Sequence, residues 1–106
     1  MPKYLIHGNY VGEGIKGLLK EGGSSRRAVI EKLVSSMGGS VESFYYAFGE
    51  TDVFVIADMP DNAAVAALSL TASASGAVTV KTTVLMTPEE VDEAAKKTVD
   101  YRPPGQ

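Results

Sequence analysis

Ser40-Val41-Glu42-Ser43-Phe44-Tyr45-Tyr46-Ala47-Phe48-Gly49-Glu50-Thr51-Asp52-Val53-Phe54-Val55-Ile56-Ala57-Asp58-Met59 carries the strongest local signal in the chain. Two runs rich in aromatic and β-branched residues, Ser40 to Phe48 and Thr51 to Met59, flank Gly49-Glu50. A short glycine-containing connection between such runs predicts an antiparallel hairpin. Downstream, Pro60-Asp61 punctuates the chain, and Asp61 is placed to cap a helix through Ala64, Val65, Leu68 and Leu70 to about Ser75, where Gly76 ends it. Ala77 to Met86 alternates as a strand, with Val78, Val80, Thr82 and Val84 on one side and Thr79, Lys81, Thr83 and Leu85 on the other. Thr87-Pro88-Glu89-Glu90 spells a capping box with proline at the first helical position, so a last helix is expected to about Thr98, its apolar stripe formed by Val91, Ala94, Ala95 and Val99.

Upstream of the hairpin, Lys3 to Tyr10 reads as a strand closed by Gly12 and Gly14. A helical stretch with Ile15, Leu18 and Leu19 on one face follows. Gly22-Gly23-Ser24-Ser25 interrupts it before Ile30, Leu33, Val34 and Met37 resume the spacing, which means one broken helix or two consecutive ones. Gly38-Gly39 is the stop. The order β-α-β-β-α-β plus a terminal helix predicts an α+β, ferredoxin-like fold, a four-stranded antiparallel sheet with both main helices on one face. Residues 1–100 form the expected domain, and Tyr101 to Gln106, with Pro103-Pro104, a loose or extended tail.

A length of 106 residues suits one compact domain with a core that needs no staples. Without cysteine there are no disulfides, thiol nucleophiles or thiolate metal sites, and a single histidine removes His-rich metal sites, so neither metal nor cofactor is expected. Ten Lys and Arg against thirteen Asp and Glu, a net charge of −3, would repel a phosphate backbone, so nucleic acid is not an expected partner. The uncharged run Asn62 to Val80 is interrupted by Ser69, Thr71, Ser73, Ser75, Gly76 and Thr79, which argues against a membrane span. Met1-Pro2-Lys3-Tyr4 lacks the signature of a secretory leader. A cytoplasmic protein is the expectation.

Covering one face of the sheet with two helices should leave a polar face opposite, yet the alternation does not supply one. Placing Val53, Val55, Val78 and Val80 under the helices leaves Leu5, His7, Phe54, Ile56, Lys81 and Leu85 pointing away. A patch of that kind calls for cover. The economical cover is a second copy packed sheet to sheet about 10 Å apart, where a standard interface of about 800 Å2 per partner is sufficient. The alternative is that the terminal helix folds over this face.

Three constellations could carry chemistry. Gly12-Glu13-Gly14-Ile15-Lys16-Gly17 has the form G-x-G-x-x-G, but a dinucleotide site needs a parallel strand after the helix, whereas here that strand enters a hairpin, so a turn is expected. Arg26 and Arg27, just after Gly22-Gly23-Ser24-Ser25, place two guanidinium groups at a helix start, an arrangement suited to an anion or to a carboxylate of the protein itself. His7 should face Lys81 across the sheet, with Asn9, Tyr45 or Tyr46 and Asp52 as companions. Such a cluster could bind a small polar or aromatic ligand or move a proton, or simply specify an interface. Asp58 and Asp61 around Pro60 read as turn and cap residues.

The hairpin Phe44 to Asp52, the following Val53 to Asp58 strand and Met59-Pro60-Asp61 resemble the GYD-domain family of small bacterial proteins, as do Tyr4-Leu5-Ile6, Asn9-Tyr10, Ser25-Arg26-Arg27, Gly38-Gly39 and Ser75-Gly76. The family's Gly-x-Tyr-Asp stands here as Gly49-Glu50-Thr51-Asp52, with Thr51 in place of the tyrosine. The resemblance implies a ferredoxin-like fold similar to dimeric α/β-barrel proteins, and no established activity. The expected function is a non-catalytic, oligomeric small-molecule-binding or assembly module. Its expected ligand residues are His7, Asn9, Tyr45, Lys81, Arg26 and Arg27, and its expected partners are a second copy and a small organic or anionic ligand. The alternative is a cofactor-independent monooxygenase- or isomerase-like enzyme with its site between two sheets.

Overall fold

Four strands hydrogen-bond in the order β2-β3-β1-β4, every neighbour antiparallel, in a computed structural model that describes residues 1–106. The elements are β1 (Lys3–Tyr10), α1 (Glu13–Glu21), α2 (Gly23–Ser36), β2 (Ser40–Tyr46), β3 (Val53–Asp58), α3 (Asn62–Ala74), β4 (Val78–Leu85) and α4 (Pro88–Ala95). This is the ferredoxin-like α+β arrangement. The helical stretch before the hairpin is two helices, because Gly22 sits at φ 85° and ψ 160°, a backbone state that only glycine reaches cheaply and that no helix can pass through.

β1 is the central strand that sets both faces. Tyr4, Ile6 and Gly8 are buried while Lys3, Leu5 and His7 between them are half-buried. Their cross-strand partners extend the division: Tyr4 pairs with Ala57 and Val84, Ile6 with Val55 and Thr82, Gly8 with Val53 and Val80. Val34 of α2 and Val65 and Leu68 of α3 close on this inner face, with Met59 fully buried at the end of β3. Asp61 caps α3 by accepting from the Ala64 N–H at 2.8 Å, and the Tyr4 hydroxyl bonds the Asn62 side chain at 2.5 Å, fastening the helix to the central strand. The outer face carries Leu5, His7, Phe54, Ile56, Lys81 and Leu85, the set that alternation predicts.

Several boundaries differ from the sequence reading. β2 ends at Tyr46 and β3 begins at Val53, so the hairpin connection is the longer loop 47–52, not Gly49-Glu50 alone. It is tied at its base by the Ala47 N–H to the Asp52 carbonyl at 2.8 Å, and the Asp52 carboxylate leaves the His7 side altogether to accept from the Tyr10 N–H at 3.0 Å. Tyr46 lies on the inner face, opposite Val53, and so is no companion of His7. Asp58 is a strand residue, not a turn residue: its carboxylate receives the Lys3 ammonium at 3.0 Å. Glu42, the extra residue of a bulge between Val41 and Ser43, joins the same ammonium at 3.2 Å. These acidic partners, Asp58 first, hold the Lys3 pKa above its ordinary value.

α4 stops at Ala95, short of Thr98, with its Thr87–Glu90 capping box formed. It does not fold over the sheet, because every residue from Pro88 onward is exposed. The Cα radius of gyration is 17.0 Å, well above the roughly 13 Å of a compact chain of this length. The terminal helix and tail stand off the body, and the outer face is left without cover. No helix is long and apolar enough to cross a membrane.

Candidate functional site

Between α2, α3 and the inner face of the sheet lies a cavity of about 100 Å3, with apolar side chains supplying twelve of its fifteen lining residues. Its existence follows from small side chains at facing positions. Gly8 contributes no side chain from the central strand and Ala72 only a methyl from α3, so the walls made by Ile30, Phe44, Val55 and Leu68 do not meet. The three lining residues that are not apolar are Gly8, Asn9 and Arg26. Arg26 and Asn9 stand with Tyr10 and Val78 where β1 ends and β4 begins; the opposite end is closed near Val34, which packs against Gly39. The cavity is therefore apolar along its length and charged at one end.

Arg26 occupies the first turn of α2, and its guanidinium lies 3.6 Å from the Glu21 carboxylate at the end of α1, a loose contact that leaves most of its donors uncommitted. Arg27 points along the exposed side of the helix to Glu31, also at 3.6 Å, one turn on. A second recess beside it is lined by Gly23, Ser24, Arg27, Phe44 and Tyr46. The Tyr46 hydroxyl donates to the Gly23 carbonyl at 3.0 Å, and the Phe44 and Tyr46 rings meet edge to face at 5.3 Å. Burial, followed by the neighbouring Tyr10, pushes the Tyr46 pKa up to about 12 against the opposing pull of Arg26 and Arg27. At neutral pH this phenol keeps its proton.

On the outer face, Tyr45, Phe54, His7 and Lys81 form one continuous cross-strand row through β2, β3, β1 and β4. The His7 and Phe54 rings are nearly parallel at 8°, their centroids 6.3 Å apart. His7, Asn9 and Lys81 together line a polar recess of about 200 Å3 with Gly8, Glu50, Thr51 and Thr79. Tyr45 is in the same row but outside the recess. The Asn9 side-chain Oδ1 is already engaged, accepting the Asp52 N–H at 2.9 Å.

The six residues singled out in the sequence thus divide between the two faces of one sheet. His7, Asn9, Lys81 and Tyr45 share the outer face, and Arg26 and Arg27 stand at the start of α2 on the inner side. The cavity itself was missed by sequence reasoning, although the alanine-rich α3 and the glycine inside β1 are its signal: two thin elements facing each other under bulky neighbours leave a void. Gly14 explains the glycine-rich turn without any ligand, since a Cβ there would collide with the Ala77 carbonyl.

The description "GYD domain" belongs to the family model that matches residues 4–95. No curated protein and no solved structure matches the chain.

Proposed function

The chain belongs to the GYD domain family, and from the geometry within that domain we propose a non-catalytic module that holds a small, largely apolar molecule between helices and sheet and pairs with a second copy through the opposite face. The observation that carries the first half is the cavity of about 100 Å3 under apolar walls, somewhat smaller than the roughly 150 Å3 void that takes up benzene. An unfilled apolar void forfeits dispersion contacts, and a guest of matching shape restores them. The one charged group in its lining, Arg26, does not suit acid or base work at neutral pH, because a guanidinium stays charged.

A second copy is favoured by the order of residues in the outer row. An isologous contact whose two-fold axis runs along the strands, across the row, sets one end of the row against the other end of its twin. Here that brings the exposed Tyr45 and Phe54 of one chain toward the Lys81 end of the other, a cation over aromatic faces.

A thermal-shift titration with hexanamide tests the cavity reading. Binding raises the melting temperature of the natural chain in proportion to the logarithm of ligand concentration once the site is saturated. Ala72→Leu fills the void, leaves the ligand-free melting temperature unchanged or higher, and abolishes the shift. An equal shift in both proteins refutes the reading.

One observation favours the alternative, an acid–base enzyme working on the outer face: His7 and Lys81 are direct cross-strand neighbours in one polar recess. It would require turnover of some small substrate that His7→Gln and Lys81→Met each abolish while Ala72→Leu leaves it intact.

A further inference from the structure

Resting on the cavity reading above, we infer that the ligand is a short-chain carboxylic acid, bound as its anion, with its tail in the cavity and its carboxylate on the Arg26 fork. The polarity of the cavity is one-ended. Arg26 is the only charged residue in its lining, Asn9 and Tyr10 stand at the same end, and the walls beyond, from Ile30 and Phe44 to Leu68, offer no group to satisfy a second polar function. A dicarboxylate or a sugar would bury unpaired oxygens against those walls, each at a cost that the apolar contacts cannot offset. A ligand with a single anionic terminus meets both demands.

The guanidinium is available for that terminus. Its side chain is about a quarter exposed, so it is partly desolvated, and its contact with Glu21 at 3.6 Å is longer than a hydrogen bond between charged groups should be. Glu21 is itself half-exposed and is the last residue of α1, followed by the glycine hinge at Gly22. An ion pair this long, with its carboxylate half-exposed, contributes little and is readily exchanged. Glu21 therefore acts as a stand-in for the ligand's carboxylate: it holds the guanidinium when the cavity is empty and yields it to a planar carboxylate that can accept two parallel N–H bonds. Arg27, facing Glu31 on the solvent side, has no part in this. Tyr46, donating to the Gly23 carbonyl, lines the recess beside Arg27 and does not compete for the head group.

Isothermal titration of the full chain with hexanoate and with hexanamide, at neutral pH and low salt, separates this inference from the reading beneath it. The expected result is hexanoate binding at least tenfold tighter than hexanamide. Arg26→Gln erases that preference without altering hexanamide affinity, and Glu21→Gln tightens hexanoate several-fold by removing its competitor. Equal binding of the two probes by the natural chain overturns the carboxylate assignment and leaves the cavity reading standing. A preference for hexanoate that survives Arg26→Gln likewise overturns the assignment to Arg26. No binding of either probe overturns both.

Discussion

The two faces of the sheet solve the problem of an apolar strand in opposite ways. On the inner face, Tyr4, Ile6, Val55 and Ala57 are buried by helices of the same chain, and the shortfall in cover appears as an internal cavity. On the outer face, Leu5, Phe54 and Ile56 have no cover from their own chain, and the shortfall appears as a surface. The comparison teaches that incomplete packing has two outlets in this fold. In the function proposed above, the void left by Gly8 and Ala72 takes a small molecule, whereas the open row of large residues takes a second copy.

The largest expected effect lies on the inner side. Met59→Ala, at a fully buried position, should cost about 2–5 kcal/mol in urea denaturation, whereas Leu5→Ala on the outer face should cost the isolated chain about 1 kcal/mol or less. Similar losses for the two would erase the distinction between the faces. Next comes Phe54→Lys, which sets a charge in the centre of the outer row. It should weaken self-association by about 2 kcal/mol or more, seen by light scattering as a halving of mass, with hexanamide binding intact. A natural chain that is monomeric at every accessible concentration removes the second copy from the account.

A smaller effect compares the packed helix α3 with the projecting α4. Asp61→Ala should lower global stability by about 1 kcal/mol, because α3 is part of the cooperative core. Thr87→Ala should fray α4 while leaving the urea midpoint unchanged, because α4 buries no residue. Equal shifts of the midpoint would mean that α4 belongs to the core after all. The smallest effect is the loss of one hydrogen bond in Tyr46→Phe, about 0.5–1.5 kcal/mol, with a pH signature attached. Below pH 10.0 the phenol is protonated in both folded and unfolded chains. Between pH 10.0 and about 12 the unfolded chain ionises first, so stability falls as pH rises through that window. Ultraviolet titration should show a tyrosine component near 12 that is missing from Tyr46→Phe.

Much of the fold was legible because the decisive signals are local. The alternation in Lys3–Tyr10 and Val78–Leu85 assigns each residue to a face, and Asp61 and Thr87-Pro88-Glu89-Glu90 mark helix starts by hydrogen bonds to their own backbone. The hairpin loop was misjudged because its closure depends on a distant partner: Asp52 reaches β1, forty-two residues away in sequence, to accept the Tyr10 N–H. That bond draws the chain out of the strand before Val53. The grouping of His7, Asn9 and Lys81 could be read from register alone, since all three lie on the same face of paired strands. The cavity could not, because its size depends on how far α2 and α3 stand from the sheet, a sum over side-chain volumes that no single stretch of sequence contains. Arg26 was visible as a cation at a helix start, but not as the sole charge in an otherwise apolar lining.

Methyl chemical-shift mapping of the natural chain during titration with hexanamide tests the claim that the small-molecule site lies on the helix side of the sheet. The methyls of Ile6, Val34, Val55 and Leu68 should move while those of Leu5, Ile56 and Leu85 stay in place. Movement confined to Leu5, Ile56 and Leu85 would put the site on the outer face and contradict the account.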